Sequence, residues 1–353
     1  MLFISNKMKK YNDLFVLHLP AEWEPQSGVM LTWPHSHTDW KPYLDEVIPC
    51  FVAIAKAILQ KEKLLIVCAS IDEVKASLGN IDESRIIFRE LPSNDTWSRD
   101  HGPIGIRLNG VPYIYDFTFN GWGLKFPANY DNQITKKLYE SQAFSSSVGY
   151  QSMLHAVLEG GSIDSDGEGT LLTTSRCLLS KNRNEYKSKE EITDYFQMIF
   201  GLKRILWLNK GYLAGDDTDS HIDTLARFCD PQTIAYVQCM DEHDEHFKEL
   251  SQMEQELQRF KTLEGKSYRL IPLPMAEPVY ENGERLPATY ANFLIINGAV
   301  LAPSYNSPLD EVARLQLQQA FPDREITPVN CLPLIKQHGS LHCVTMQLPG
   351  GFV

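Results

Sequence analysis

VIPCFVAIAKAILQKEKLLIVCAS, residues 47–70, carries the two periodicities that decide the fold class. Over 47–61 the apolar residues return at i, i+3 and i+4, the spacing of a helix with one face on a core. At LLIVCAS (64–70) the pattern becomes a short apolar, β-branched run, which reads as a strand. Outward from this pair the alternation repeats. Strands are expected at RIIFRE (85–90), VPYIYDF (111–117), GTLLTT (169–174), RILWL (204–208), TIAYVQC (233–239), FLIINGAVLAP (293–303) and HCVTMQL (342–348). Helices are expected at EEITDYFQMIFG (190–201), at SQMEQELQRFK (251–261) as the continuation of a charged helix from near Asp241, and at DEVARLQLQQAFP (310–322), where Pro322 stops the helix. Strands alternating with helices along the whole chain predict an α/β fold. No Gly-x-Gly-x-x-Gly follows a strand and no Walker loop with Lys-Ser/Thr occurs, so a nicotinamide dehydrogenase or P-loop nucleotidase loses its main support. Strand clusters with one helix each, roughly every 60 residues, are compatible with a radial repeat.

The 353 residues carry 33 Lys and Arg against 45 Asp and Glu, a formal net charge of -12. Without a dense basic cluster, nucleic acid is a poor partner. The basic opening MLFISNKMKK is followed by no clean apolar run and no cleavage box, so it reads as a poor signal peptide. No uncharged apolar stretch approaches the length that crosses a bilayer. An acidic surface suits a cationic small molecule, although solubility alone explains most acidic proteins. The cysteines at 50, 68, 177, 229, 239, 331 and 343 are odd in number and lack Cys-x-x-Cys spacing, which points to a reducing, cytoplasmic setting. Cys68 and Cys239 read as buried strand residues.

Polar groups gather in four segments. NDTWSRDHGP (94–103) sets Asp95, Arg99, Asp100 and His101 around Trp97; it is either a plain turn or an exposed aromatic beside carboxylates, suited to a flat cation. LEGGSIDSDGEGTLLTT (158–174) places Glu159 before a Gly pair that lets backbone approach a ligand. Its DSDGEG lacks the full calcium-loop spacing and reads better as a hairpin turn. GDDTDSHIDTLARF (215–228) crowds Asp216, Asp217, Asp219, His221 and Asp223 into eight positions. If 220–224 is extended, His221 and Asp223 share a face, and the carboxylates should raise the His221 pKa into the range of a proton shuttle. A metal site there would need further His or Cys ligands at the right spacing. IKQHGSLHCVTMQLPG (335–350) sets Cys343 at the start of a strand beside a glycine turn, where a nucleophile can be exposed, although a cysteine is as often a buried hydrophobe. By themselves these residues say a cysteine hydrolase acting on a cation.

Taken together, AEWEPQSGVMLTWPHSHTDW (21–40), NDTWSRDHGP, FNGWGLKFPANYDNQ (119–133), the Glu159 and His221 segments, PATYANFLIINGAVLAPSYN (287–306) and HGSLHCVTMQLP resemble the agmatine deiminase and bacterial peptidyl-arginine deiminase-like family of guanidine-modifying enzymes. The resemblance covers nearly the whole chain. It implies a single catalytic domain over 1–353, a five-bladed pseudo-symmetric α/β propeller of ββαβ-type units with the active site at its hub. It also implies hydrolysis of agmatine to N-carbamoylputrescine and ammonia, a step of putrescine and polyamine biosynthesis, with no metal or organic cofactor. The family's nucleophile falls on Cys343, its acid/base on His221, its guanidinium-holding carboxylates on Asp100 and Asp223, its Glu-Gly-Gly carboxylate on Glu159 and a channel aromatic on Trp97. Asp216 and Asp217 lie in the acidic run before His221, and one of them is the candidate for the outer ammonium of agmatine; the alternative is that they build the turn. Relatives are often dimers, though no interface is legible here.

This chain departs from the common agmatine-enzyme form at Ser220, at Gly339-Ser340-Leu341 and at Arg227-Phe228. Arg99 and Arg227 are the cations that would recognise a substrate carboxylate or peptide carbonyl, so a free arginine or peptidyl-arginine deiminase is the runner-up. An amidinotransferase and a non-catalytic binding protein for cationic metabolites are the remaining alternatives.

Overall fold

The computed structural model describes residues 15–184 and 187–353; the basic opening segment lies outside them. Among the described residues the same supersecondary unit occurs five times. Two antiparallel strands are followed by a helix, which returns the chain to a third strand parallel to the second. The second unit shows the pattern plainly. Strands Ile104–Leu108 and Val111–Thr118 pair antiparallel, helix Ile134–Glu140 follows, and Gly149–Val157 pairs parallel with the second strand. The third unit uses Ile163–Ser165, Thr170–Thr174, helix Lys189–Phe200 and Arg204–Leu208. The fourth uses Ala226–Asp230, Thr233–Gln238, helix Phe247–Arg259 and Arg269–Pro274. The fifth uses Leu294–Ile296, Ala299–Ser304, helix Leu309–Ala320 and Glu325–Asn330.

The first unit is assembled from both ends of the chain. Its second strand, Gln26–Thr32, is followed by helix Leu44–Leu59 and the parallel strand Lys63–Cys68, while its antiparallel partner is the late strand Thr345–Pro349. Met30 lies opposite Met346 in that pairing. The last strand therefore closes the ring, and the predicted propeller of ββαβ units is the observed arrangement.

The cores follow the sequence pattern. Val47, Phe51, Ile54 and Ile58 of the opening helix are buried, as are Leu64, Leu65, Ile66 and Val67 of the strand after it. The α/β reading of 47–70 thus holds, with the helix beginning earlier, at Leu44. The helix Lys189–Phe200 starts on a capping box in which Ser188 accepts from the Glu191 N–H and the Glu191 carboxylate accepts from the Ser188 N–H.

Three local expectations are corrected. FLIINGAVLAP is a hairpin rather than one strand, because Asn297-Gly298 forms the turn between Leu294–Ile296 and Ala299–Ser304 and Gly298 has φ 72°. The last strand begins at Thr345, so Cys343 lies in the turn before it. Residues 220–224 are not extended: Ser220 has φ 65° and a 3-10 turn spans Ile222–Thr224. The DSDGEG segment is the hairpin turn expected of it, with Asp166 Oδ1 accepting from the Glu168 and Thr170 N–H groups.

Candidate active site

Every unit begins with a turn immediately before its first strand, and these turns meet at the hub. Asp100 precedes the strand at Ile104, Glu159 and Gly161 the strand at Ile163, and His221 and Asp223 the strand at Ala226. Asn292 precedes the strand at Leu294 and Cys343 the strand at Thr345. Pseudo-symmetry therefore delivers polar side chains from five remote parts of the sequence to one place.

Backbone close approach makes this possible. A Cβ on Gly161 would lie 2.7 Å from His221 Nδ1, 2.8 Å from Asp100 Oδ1 and 3.1 Å from Asp223 Oδ2. Any Cβ there would push against these groups, which explains the second glycine of the Glu-Gly-Gly run. The Gly161 N–H donates to Asp100 Oδ1 (3.0 Å), and Trp122 Nε1 donates to Asp100 Oδ2 (2.9 Å). Asp100 and Asp223 are both almost fully buried, yet Asp223 Oδ1 has no hydrogen-bond partner. Burial pushes the Asp100 pKa up to about 6; His221 pulls it back and Asp223 pushes it further up. An unpaired carboxylate oxygen in such a place is a position for a cation.

His221 is 1% exposed and lies between two carboxylates. Its Nδ1 is 3.5 Å from Asp100 Oδ1 and its Nε2 3.9 Å from Glu159 Oε2; neither nitrogen has a hydrogen-bond partner. Burial opposes the imidazolium, but the Asp100 charge beside it wins and raises the His221 pKa well above its ordinary value. Glu159 is held by Arg183, whose Nε lies 2.9 Å from both of its oxygens. Burial would raise the Glu159 pKa, and His221 and Arg183 outweigh it. Arg183 also donates to Asp219 Oδ2 (2.5 Å) and to the Thr218 carbonyl (2.8 Å), which fastens the acidic turn to the Glu159 segment.

Cys343 is buried, with Sγ 3.3 Å from Asn292 Oδ1 and 3.9 Å from Asp223 Oδ2. Asn292 Oδ1 accepts from the His342 and Cys343 N–H groups, and its Nδ2 donates to the Asp223 carbonyl. It therefore sets the backbone of the Cys343 turn. Burial, then Asp223 and Asp100, raises the Cys343 pKa well above that of a free thiol. A positive charge brought beside it would favour the thiolate.

A cavity of about 180 Å³ opens onto Cys343 and Asp100, with His221, Glu159 and Asp223 behind its wall. Its wall includes Cys343 and Asp100, the aromatic rings of Trp97, Trp122 and Phe126, and the outer residues Asp39, Asp217 and His338. Trp97 is expected to be exposed; it is 5% exposed, because its ring stacks over Gly339 and packs against Trp40, and it serves as an apolar wall. Asp95 is spent on structure: its Oδ1 accepts from Trp40 Nε1 (2.8 Å) and the Thr96 N–H (2.7 Å). The two candidates for the outer charge separate. Asp216 accepts from the N–H groups of Thr218 and Ser220 and from the Thr218 hydroxyl, so it builds the turn and does not line the cavity. Asp217 lines it, 3.9 Å from His338 Nδ1, with its side chain 44% exposed. Among the described residues no Arg or Lys lines this cavity.

Arg99 and Arg227 face the other way. Arg227 Nη2 donates to Glu22 Oε2 (2.8 Å), and Arg99 bonds to Gln347 and the His342 carbonyl. Both are buried behind the Cys343 turn. Glu22, Asn292, Trp122 and Arg183 escaped the reading of the sequence, since none stands in a dense polar cluster of its own kind; His342 lies in the fourth polar segment but was passed over beside Cys343. The signal that could have found Asn292 is the repeat: it occupies the hub turn of the fifth unit.

Glu159, Cys177 and His221 bring one ligand-type atom each within 4.8 Å of one another. Arg183 already occupies both Glu159 oxygens, so a divalent ion there would sit against a guanidinium, and the donor set fits a buried acid/base cluster better than a metal.

The chain matches the family described as Porphyromonas-type peptidyl-arginine deiminase over residues 18–349. An agmatine deiminase of Ectopseudomonas mendocina is 32% identical, with 94% of this chain and 95% of that protein covered. A crystal structure from Porphyromonas gingivalis, provisionally described as an arginine deiminase, is 54% identical with TM-score 0.93, covering 96% of this chain and 100% of that one. A Cys-to-Ser variant of C. jejuni agmatine deiminase with substrate bound is 38% identical with TM-score 0.89, covering 96% and 98%.

Proposed function

From the premise that this chain belongs to the Porphyromonas-type peptidyl-arginine deiminase family, we propose that it is an agmatine deiminase, a cysteine-dependent hydrolase releasing ammonia and N-carbamoylputrescine from agmatine and water. The observation that carries the choice of substrate is the charge of the cavity wall. Its ionisable carboxylates include Asp39, Asp100 and Asp217, it holds no guanidinium or ammonium among the described residues, and Arg99 and Arg227 are turned away from it. Agmatine has a cation at each end and no carboxylate. Arginine or a peptide would bring a carboxylate or carbonyl to a wall without a matching donor cation.

In this reading Asp100 and Asp223 take the planar guanidinium, whose N–H groups match carboxylates two to two. Asp217 takes the outer ammonium. The arriving cation and the charged His221 lower the pKa of Cys343, its proton passes to solvent, and the thiolate adds to the guanidinium carbon. His221 gives its proton to the departing nitrogen, ammonia leaves, and an amidino group remains on sulfur. His221, now neutral, takes a proton from water, which attacks the same carbon; the C–S bond breaks, the new hydroxyl gives its proton to solvent or the released ammonia, the ureido product leaves and the thiolate returns. Glu159, held by Arg183, keeps His221 oriented. The chain acts as one catalytic unit in a reducing, cytoplasmic setting, a reading supported by seven unpaired, buried cysteines. A homodimer belongs to the reading through its relatives.

The relative that is 54% identical keeps arginine as the second reading. Agmatine, arginine and a blocked arginyl peptide assayed side by side decide the matter. Agmatine should show a kcat/KM at least a hundredfold above the other two; turnover of arginine with little of agmatine overturns the substrate.

A further inference from the structure

His342, next to the nucleophile in sequence, is 2% exposed and takes no part in the steps above. Its ring spans two carboxylates. Nδ1 lies 2.8 Å from Asp223 Oδ2 and Nε2 lies 2.7 Å from Glu22 Oε2. Glu22 is a well-supplied anion: Oε2 also meets Arg227 Nη2 at 2.8 Å and Arg99 Nη2 at 3.6 Å, and Oε1 accepts from the Ile295 N–H at 2.6 Å. Burial would raise the Glu22 pKa, but Arg227, His342 and Arg99 hold it far below the usual carboxylate range. Asp223 likewise stays ionised, against burial, chiefly through its bond to His342.

A neutral imidazole has one N–H and one lone pair. With both carboxylates ionised, a neutral His342 would turn its lone pair onto one of them at 2.7 or 2.8 Å. Two short contacts to two anions require two N–H groups. Burial, then Arg227 and Arg99, draws the ring pKa below its ordinary value on balance, against the upward pull of Glu22 and Asp223, and this runs counter to the two short contacts. The hydrogen-bond geometry decides between them in favour of the charged ring.

We propose that His342 is a positioning residue that carries a fixed positive charge between Glu22 and Asp223, and that this charge keeps Asp223 an anion able to hold the substrate guanidinium. The inference rests on the reading of Asp223 as part of the clamp. The groups that face the triad are Arg99 and Arg227 on the Glu22 side, with Asp164 beyond Arg227 at 3.5 Å. On the Asp223 side they are Asp100, His221 and Cys343. Asp223 shares its site with Asp100 and Glu159, so without the imidazolium it would be the next carboxylate to take up a proton. The arrangement also explains why Asp223 Oδ1 can remain without a partner: Oδ2 is secured from behind, and Oδ1 is left for the substrate.

The test is the pH profile of kcat/KM for agmatine in wild type, H342N and E22Q. Asn can keep a donor toward Asp223 without the charge; E22Q removes the anion that holds the ring proton. In both, the pKa of Asp223 should rise, so the acid limb should move up by at least one pH unit. Each unit corresponds to about tenfold in rate on that limb. The loss should be greatest on the acid limb and should shrink as pH rises, with KM affected more than kcat. A merely structural role gives a loss of the same size at every pH. A folded variant of either kind whose acid limb coincides with that of wild type overturns the proposal. Ring ¹⁵N shifts of histidine-labelled protein need neither folded His342 variants nor turnover. In H221N at pH 8, one buried ring should still be protonated at both nitrogens, and its absence also overturns the proposal. Failure of wild type to turn over agmatine, with that doubly protonated ring present, would instead refute the function and leave the charge of His342 standing.

Discussion

Gly161→Ala isolates the geometry of the hub from its chemistry. The residue has no positive φ, so alanine is free of backbone strain there, and the whole effect comes from one methyl group. That methyl would lie 2.7 Å from His221 Nδ1, 2.8 Å from Asp100 Oδ1 and 3.1 Å from Asp223 Oδ2, where ordinary contact begins near 3.4 Å. His221 or the Gly161 turn must therefore give by about 0.7 Å, and misplacement of reacting groups by ~1 Å costs on the order of a hundredfold in rate. We expect kcat to fall about 30- to 100-fold. The stability cost of the extra methyl should be about 1–3 kcal/mol. The neighbouring Gly160→Ala supplies the contrast: its methyl would run into the Arg99 backbone carbonyl and the Met346 side chain, so it should lose far more stability. The assay is ammonia release with agmatine, giving kcat and KM, alongside thermal unfolding of each variant. A folded Gly161→Ala enzyme with kcat within threefold of wild type would show that the three groups do not act from the positions described.

Cys343→Ala should abolish turnover, and mass spectrometry of denaturant-quenched wild type should find one amidino group on the peptide that holds Cys343. Cys177→Ala should retain that adduct, since Cys177 borders His221 and not the cavity; an adduct on Cys177 would reassign the nucleophile. Asp217→Asn should lose most of the preference for agmatine over an analogue with methyl in place of the ammonium, while Asp216→Asn should lose activity toward both equally; the reverse result would exchange their roles. Burial pushes the Asp131 pKa up to about 7. Its contribution is greatest below the unfolded value near 4 and falls as pH rises toward 7, because the folded state holds the proton more tightly. Asp131→Asn should accordingly flatten the decline of thermal stability between about pH 4 and 7, and an unchanged slope would be contrary to that origin.

The reading of the chain reached the polar groups that the fold gathers at the hub, because they stand in dense polar turns. Asp100, Glu159, His221, Asp223 and Cys343 each sit beside glycine or further acids, where local chemistry departs from ordinary core or surface. It did not reach the residues that hold them. Arg183 is one arginine in SKNRN, and Glu22 one carboxylate in AEWEP; nothing local distinguishes either from a solvated charge. Their roles come from pairing across 24 and 320 positions, to Glu159 and to His342. Arg99 and Arg227 failed in the opposite sense. Their neighbourhood in sequence suggested substrate recognition, but side-chain direction sends both behind the Cys343 turn.

The sequence by itself determined the alternation of strands and helices, because hydrophobic period is a local property that each segment carries without its partners. It also determined which turns are chemically unusual. Ring closure was decided only in three dimensions, where Thr345–Pro349 pairs with Gln26–Thr32 and completes the first unit. So was the division of labour between Asp216 and Asp217. The two are adjacent and identical in kind, and one is consumed by backbone N–H groups while the other reaches the cavity. Composition and spacing are the same for both. The difference is the direction of a Cα–Cβ bond, which the folded backbone alone sets.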